Sequence, residues 1–293
     1  MNTHARTRVS GAAAAVATAG LAIATVGLVA PAEATSAALT YDCNAPVIGS
    51  TPFTVVNDSN APATMFVGQS KALTITSKVT IPSSMVGLLY AVGGRTADGT
   101  ATAQGTLGGR ATSTTLKVPT TTIPQSSDLT VTATGPGGTF KATKPGTVTL
   151  AAGDFTSTLN IYDTNGDPLS GISPATVPCT APSGVSTTFD KITVKKDTTA
   201  TKVAAANVRK GKKASVKVTV RSTHGTTPTG KVKVQVKKGK KTVETKTVTL
   251  KKGNASLTLP KKLKKKGTYT VAAKYAGSGT LVTSSGTHKF KVK

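Results

Sequence analysis

Apolar and polar residues take turns along most of this chain. In Val216-Lys217-Val218-Thr219-Val220-Arg221, and again in Lys231-Val232-Lys233-Val234-Gln235-Val236-Lys237, a valine occupies every second position. That period of two belongs to strands with one face buried and the other in water. Val248 and Leu250, then Leu257 and Leu259, then Tyr269, Val271, Ala273 and Tyr275, and last Phe290 with Val292 continue the apolar set. The runs are about seven residues long and are separated by Gly and Pro turns, which predicts a seven-stranded sandwich over residues 197–293. Its third, sixth and seventh strands share one sheet.

The first half alternates too. Ala72–Ile81, Leu129–Thr134, Thr147–Leu150 and Phe155–Ile161 read as half-buried strands, and Met85–Val92 is the one stretch where a short helix is expected. Residues 38–190 suffice for a sandwich with a core of its own. Trp is absent and aromatic residues make up 4% of the chain, while Thr, Val, Gly and Ser abound, a composition of short strands and turns.

Before the strands come His4, Arg6 and Arg8, then an uncharged stretch from Gly11 to Ala30, then Pro31-Ala32-Glu33-Ala34. This is the layout of a secretory signal peptide over residues 1–34, cleaved before Thr35 or, as the alternative, after Ala38. An uncleaved anchor is the competing reading, because 20 apolar residues can just span a bilayer. Export gives Cys43 and Cys179 a meaning. Two cysteines bracketing one folding unit are the arrangement expected of a single disulfide, with two buried free thiols as the alternative. The fold class that follows is all-β: two β-sandwich domains, 38–190 and 197–293, after a cleaved signal peptide.

The motifs at the strand boundaries carry resemblances. Thr199–Val203, Lys210-Gly211-Lys212-Lys213, Pro228-Thr229-Gly230-Lys231-Val232, Gly267-Thr268-Tyr269-Thr270-Val271 and Tyr275-Ala276-Gly277 resemble the bacterial Ig-like repeats of secreted and surface proteins of Gram-positive bacteria. The resemblance covers nearly the whole basic half and implies an immunoglobulin-like fold, not an activity. Leu39-Thr40-Tyr41-Asp42-Cys43, Pro46-Val47-Ile48-Gly49, Val67-Gly68 and Val177-Pro178-Cys179 make the first half similar to an uncharacterised domain of actinobacterial exported proteins. That resemblance implies no known chemistry.

Charge divides the chain more sharply than anything else. Lys191–Lys293 holds 28 Lys and Arg against Asp197 and Glu244, which is the entire net charge of +26, and the first 190 residues are balanced. In the expected sandwich Lys231, Lys233, Lys274, Lys289, Lys291 and Lys293 point outward from one sheet. The hairpin tip Lys237, Lys238, Lys240 and Lys241 and the loop Lys261, Lys262, Lys264, Lys265 and Lys266 add clusters at the ends. Like charges across strands repel, and solubility is served at least as well by acidic residues. The expected use is capture of an anionic polymer by point charges, since Arg209 and Arg221 are the only arginines of this half. Teichoic acid or a similar glycopolymer, extracellular DNA and glycosaminoglycan are the candidate polymers. A structural spacer, or a coat that blocks strand edges and keeps the protein soluble, is the alternative.

Sequence-specific nucleic-acid reading is not expected, for lack of a recognition helix, zinc finger or aromatic platform. Leu259-Pro260-Lys261-Lys262-Leu263 departs from the sortase motif, so retention at the wall is expected to be ionic. Catalytic chemistry is thinly provided. His224 and His288 read as exposed bystanders, and no cofactor or metal site is expected. Asp163-Thr164-Asn165-Gly166-Asp167 has the start of a calcium loop, but Pro174 stands where a bidentate Glu belongs, so a strand-connecting turn is the reading. A carbohydrate-active site built from Asp128, Asp154, Asp163 or Asp190 is the enzyme alternative to an expectation of no enzymatic activity.

Overall fold

The computed structural model describes residues 36–46, 49–259 and 262–293, so the expected signal peptide, Val47, Ile48, Pro260 and Lys261 lie outside the described residues. The first half contains β1 (Leu39–Ala45), β2 (Gly49–Ser59), β3 (Thr64–Phe66), β4 (Ser70–Ile81), α1 (Ser83–Ala91), β5 (Thr96–Leu107), β6 (Arg110–Thr122), β7 (Leu129–Lys141), β8 (Gly146–Tyr162), β9 (Ala175–Thr180) and β10 (Thr188–Lys195). The second contains β11 (Thr199–Ala205), β12 (Ser215–Ser222), β13 (Gly230–Lys238), β14 (Lys241–Leu250), β15 (Asn254–Thr258), β16 (Gly267–Tyr275) and β17 (Ser284–Val292). The described residues are all-β, with sandwich packing, and the one helix among them falls where the sequence placed it.

In the neutral half the layers of the sandwich belong to one sheet, in the order β3-β10-β8-β5-β6-β7-β4-β2-β1-β9. The sheet returns on itself because β8 is 17 residues long and has two partners on one edge. Its first part pairs with β10 and its middle, Phe155–Leu159, pairs with β9, while β5 runs along the other edge. β9 in turn meets β1, where Cys43 and Cys179 lie directly opposite each other and form a disulfide with a Cα–Cα distance of 4.0 Å. The circuit β8-β5-β6-β7-β4-β2-β1-β9 is thereby closed. Inward-facing Tyr41, Phe53, Val55, Ile81, Leu116 and Ile161 are among its buried residues, and α1 crosses one end. Pro82 precedes the helix without a side-chain cap, and Asp128 Oδ1 accepts from the Ser83 backbone N–H at 2.8 Å instead.

The basic half is the Ig-like domain that its alternation predicts. β11-β12-β15 form one sheet and β14-β13-β16-β17 the other, so the third, sixth and seventh strands do share a sheet. Val216, Val218 and Val220 face Val232, Val234, Val236, Tyr269, Val271, Tyr275 and Phe290 in one core cluster. Edge strand β14 turns Glu244 and Lys246 to the inward side, opposite Val236 and Val234. Charges so placed discourage another strand from adding to that edge.

A buried carboxylate marks the junction of the halves and corrects the expectation for His224. Asp197 is fully buried and accepts from the His224 backbone N–H at 3.1 and 3.2 Å, with the ring Nδ1 2.8 Å away. Burial pushes its carboxyl upward, but hydrogen bonds from the His224 ring and backbone, the His224 charge and Ser222 outweigh that and hold it below its usual value. The imidazole stacks on Phe66 with centroids 4.9 Å apart, and Thr226 Oγ1 donates to the Val67 carbonyl. Gly68, at φ +97°, lets the two backbones meet: a Cβ there would stand 2.4 Å from the His224 carbonyl oxygen. His224 is therefore a junction residue. His288 is not exposed either; its Nε2 lies 3.1 Å from the Ala205 carbonyl oxygen.

Candidate polyanion-binding surface

Register decides which lysines share a surface. On the outer face of the four-stranded sheet Lys233 lies opposite Lys274, with Thr247 beyond one and Ser285 beyond the other. Lys231 is two residues along the same strand, and Lys289 and Lys291 stand on the neighbouring β17 opposite Thr270 and Thr268. Lys237 opposes Thr270 from the other side and so also belongs to this face. Lys293 extends it at the chain end, where its N–H donates to the Val208 carbonyl. The outer face of the other sheet carries three cations, Lys202, Lys217 and Arg221, spread among Thr219, Asn254 and Ser256. The cations are thus concentrated on one side.

They are also concentrated at one end, which the sequence did not reveal. The hairpin tip with Lys238, Lys240 and Lys241 and the loop with Lys262, Lys264, Lys265 and Lys266 sit at the same end of the sandwich, not at opposite ends. β16 begins at Gly267 beside the end of β17, and Lys237 near the tip opposes Thr270 near that start. The loop is held by Leu263, which is 1% exposed in the core, donates its N–H to the Lys212 carbonyl and accepts from the Gly211 N–H at 2.9 Å. Lys238 Nζ donates to the Lys266 carbonyl and stands 5.6 Å from the Tyr269 ring centroid. Lys261 lies outside the described residues.

The same contacts add a loop missing from the sequence expectation. Arg209, Lys210, Lys212 and Lys213, all exposed, connect β11 to β12 and are tied to this end by Lys210 N–H donating to the Lys293 carbonyl at 2.8 Å. The signal was present in Lys210-Gly211-Lys212-Lys213, but read there as a strand boundary. The opposite end, beside the junction, carries Lys196, Lys251 and Lys252. Among the described residues the ion pair of this half is Asp197–His224, and no lysine or arginine is matched with a carboxylate. Glu244, nearest to the basic end, has a buried Oε2 without a hydrogen-bond partner.

The four aspartates of the enzyme alternative do not converge. Asp128 holds the start of α1, Asp154 Oδ1 accepts from the Ala181 N–H, and Asp190 accepts from Ser59 Oγ and the Lys191 N–H. Asp163 Oδ1 accepts from the N–H groups of Asn165 and Asp167, closing the turn that its sequence predicted, with Gly166 at φ +85°.

Comparison with known proteins places both halves. A model of a family of unknown function, DUF6801, matches residues 40–190, more than half of the chain. The chain belongs to the DUF6801 family. Beyond the DUF6801 region, residues 198–293 match a bacterial Ig-like domain of group 3. No curated protein matches this DUF6801 chain. Among solved structures it is similar to a Corynebacterium diphtheriae protein described as membrane anchored, at 13% identity and a TM-score of 0.38, over 88% of this chain and 59% of that one. It is similar also to fibronectin(III)-like modules of Clostridium thermocellum CbhA, at 11% identity and a TM-score of 0.24, over 81% of this chain and 94% of the other. Among its described residues no helix is long and apolar enough to cross a membrane.

Proposed function

We propose that this is a secreted, non-enzymatic protein of the bacterial surface or matrix whose Ig-like half adheres to anionic polymers. Teichoic acid or a similar glycopolymer is the first partner, and extracellular DNA the second. The supporting observation is the one-sided placement of unpaired cations: a lysine face continuous with a basic end that is turned away from the junction with the neutral half. A groove or face of one charge sign attracts an extended polyanion over a long range and without reading its sequence. Lys serves as a point charge for phosphate and does not demand the planar geometry that Arg would impose. The disulfide fits an oxidising compartment.

The test is retention of the purified chain on immobilised poly(glycerol phosphate). Binding at about 50 mM salt that is lost near half-molar salt, where the Debye length has fallen to about 4 Å, supports the reading. Flow-through at low salt overturns it and leaves the solubilising-coat alternative.

A further inference from the structure

The interior of the neutral half is not filled. All eight strands of the closed circuit, with α1 and the loop carrying Gly171 and Ile172, surround a cavity of about 410 Å³. Protein interiors pack like organic crystals, with few voids larger than a water molecule. Pockets that hold small molecules span roughly 300–1,000 Å³, and a closed eight-stranded barrel is wide enough to hold one. The cause lies in the sequence. Inward positions on four strands carry Ala101, Ala103, Ala133, Ala152 and Ala175, and Gly153 follows Ala152, where larger side chains would close the space.

Three features define the guest. The wall has no Lys, Arg, His, Asp or Glu among its described residues, so a charge brought inside would lose its water without gaining a partner. Along β8 the lining runs from Ala152 to Ile161, which at about 3.3 Å per residue and a strand tilt of about 40° is roughly 23 Å of axial length. A space so long for its volume is narrow and matches an unbranched chain. Besides Ser157 midway along β8 and Gln104, whose amide donates to Ser113 Oγ, the polar side chains of the wall gather away from α1: Asn57 and Ser77, 6% and 7% exposed, lie opposite each other across β2 and β4, and Ser77 Oγ donates to Asn57 Oδ1 at 2.6 Å. Tyr41, beside them, donates its hydroxyl to the Gly153 carbonyl at 3.1 Å. The Asn57 N–H groups and the lone pairs of Ser77 and Tyr41 are the hydrogen-bonding capacity that this cluster has left. At the other end Leu88 of α1 and Val92 just past it line the cavity while 53% and 54% exposed, an apolar rim beside the solvent.

We propose that the neutral half binds one uncharged long-chain lipophile, an alkyl chain ending in a neutral oxygen group such as a hydroxyl, which enters past α1 and places its oxygen at Asn57, Ser77 and Tyr41. The site is separate from the lysine face and stands or falls without it. The test is equilibrium dialysis of the full oxidised chain against radiolabelled hexadecanol, with palmitate as competitor at neutral pH. One hexadecanol retained per chain is expected, with a rise in the thermal midpoint and palmitate weaker by tenfold or more. Ala133→Phe, which puts a ring into the space directly beside Ser77, should abolish uptake, and the smaller Ala101→Leu should reduce it while cooperative unfolding is kept. Ser77→Ala should weaken hexadecanol by about fivefold, the scale of one net hydrogen bond, and leave hexadecane unchanged. Lys274→Gln should leave uptake as it is. No retained hexadecanol, undiminished uptake by both alanine variants, or palmitate binding as well as hexadecanol would each overturn the proposal.

Discussion

If the lysine face is kept for a partner, removing its charges should make the fold more stable. Lys233 and Lys274 offer the cleanest pair, because they stand directly opposite each other with only Thr247 and Ser285 at the ends of their row. Side chains so placed have Cβ atoms about 5 Å apart, and ammonium groups about 6 Å apart in water repel by about 0.7 kcal/mol before screening. With a Debye length of about 10 Å at 0.1 M salt this falls to about 0.4 kcal/mol, and at 1 M, where the length is about 3 Å, to about 0.1 kcal/mol. A double-mutant cycle of Lys233→Gln and Lys274→Gln, read by urea unfolding, should return that repulsive coupling at low salt and lose it at 1 M. Each substitution should also flatten the dependence of log affinity for poly(glycerol phosphate) on log salt by about 0.7, the single-strand value for one lost phosphate contact. A coupling of zero, or an attractive one, at low salt would refute the stability argument. An unchanged salt slope would show that the polymer lies elsewhere.

Other consequences are as direct. Replacing Cys43 and Cys179 by Ala releases a loop with a sequence separation of 136, so urea unfolding should show a loss of up to about 5 kcal/mol, the chain-entropy value. Asp197→Ala removes the acceptor of three His224 contacts and should destabilise the junction by about 2–3 kcal/mol, read as faster amide exchange at His224. Because the Asp197 carboxyl titrates below its unfolded value, its contribution is complete above pH ~4 and is lost as pH falls through the folded value. Asp197→Asn should therefore flatten the acid limb of the stability profile and leave the limb above pH 5 in place. Leu263→Ala leaves a hole under the lysine loop and should cost about 2–5 kcal/mol, with the Gly211 and Leu263 amides losing exchange protection first.

The Ig-like half was legible because each strand declares itself locally. Lys231–Lys237 alternates so strictly that any register shift of one residue would turn three lysines and Gln235 inward, so the outward set follows from the buried valines alone. Met85–Val92 was legible as a helix for the opposite reason, a break in alternation. The closure of the neutral sheet was not. β8 looks like two separate strands in the sequence, Thr147–Leu150 and Phe155–Ile161, and no residue marks that it exchanges β10 for β9 along one edge. The gathering of three basic loops at one end was equally hidden, because it depends on which strands end together, not on composition. His224 was misjudged because its partners Asp197 and Phe66 are far away in the chain. The alanines around the cavity read as ordinary strand residues, since a position's period shows which way it points and says nothing of whether its neighbours fill the space.

The strand that completes the circuit is held to β1 by two register pairs, Asp42–Thr180 and Cys43–Cys179. Without the disulfide that seam is two register pairs, with five more holding β9 to β8 on its other side. Once oxidised, β9 cannot leave β1 without the breaking of a covalent bond. The redox state of the surroundings then sets whether β9 can part from β1, while the apolar rim beside α1 is the entrance that the oxidised chain keeps.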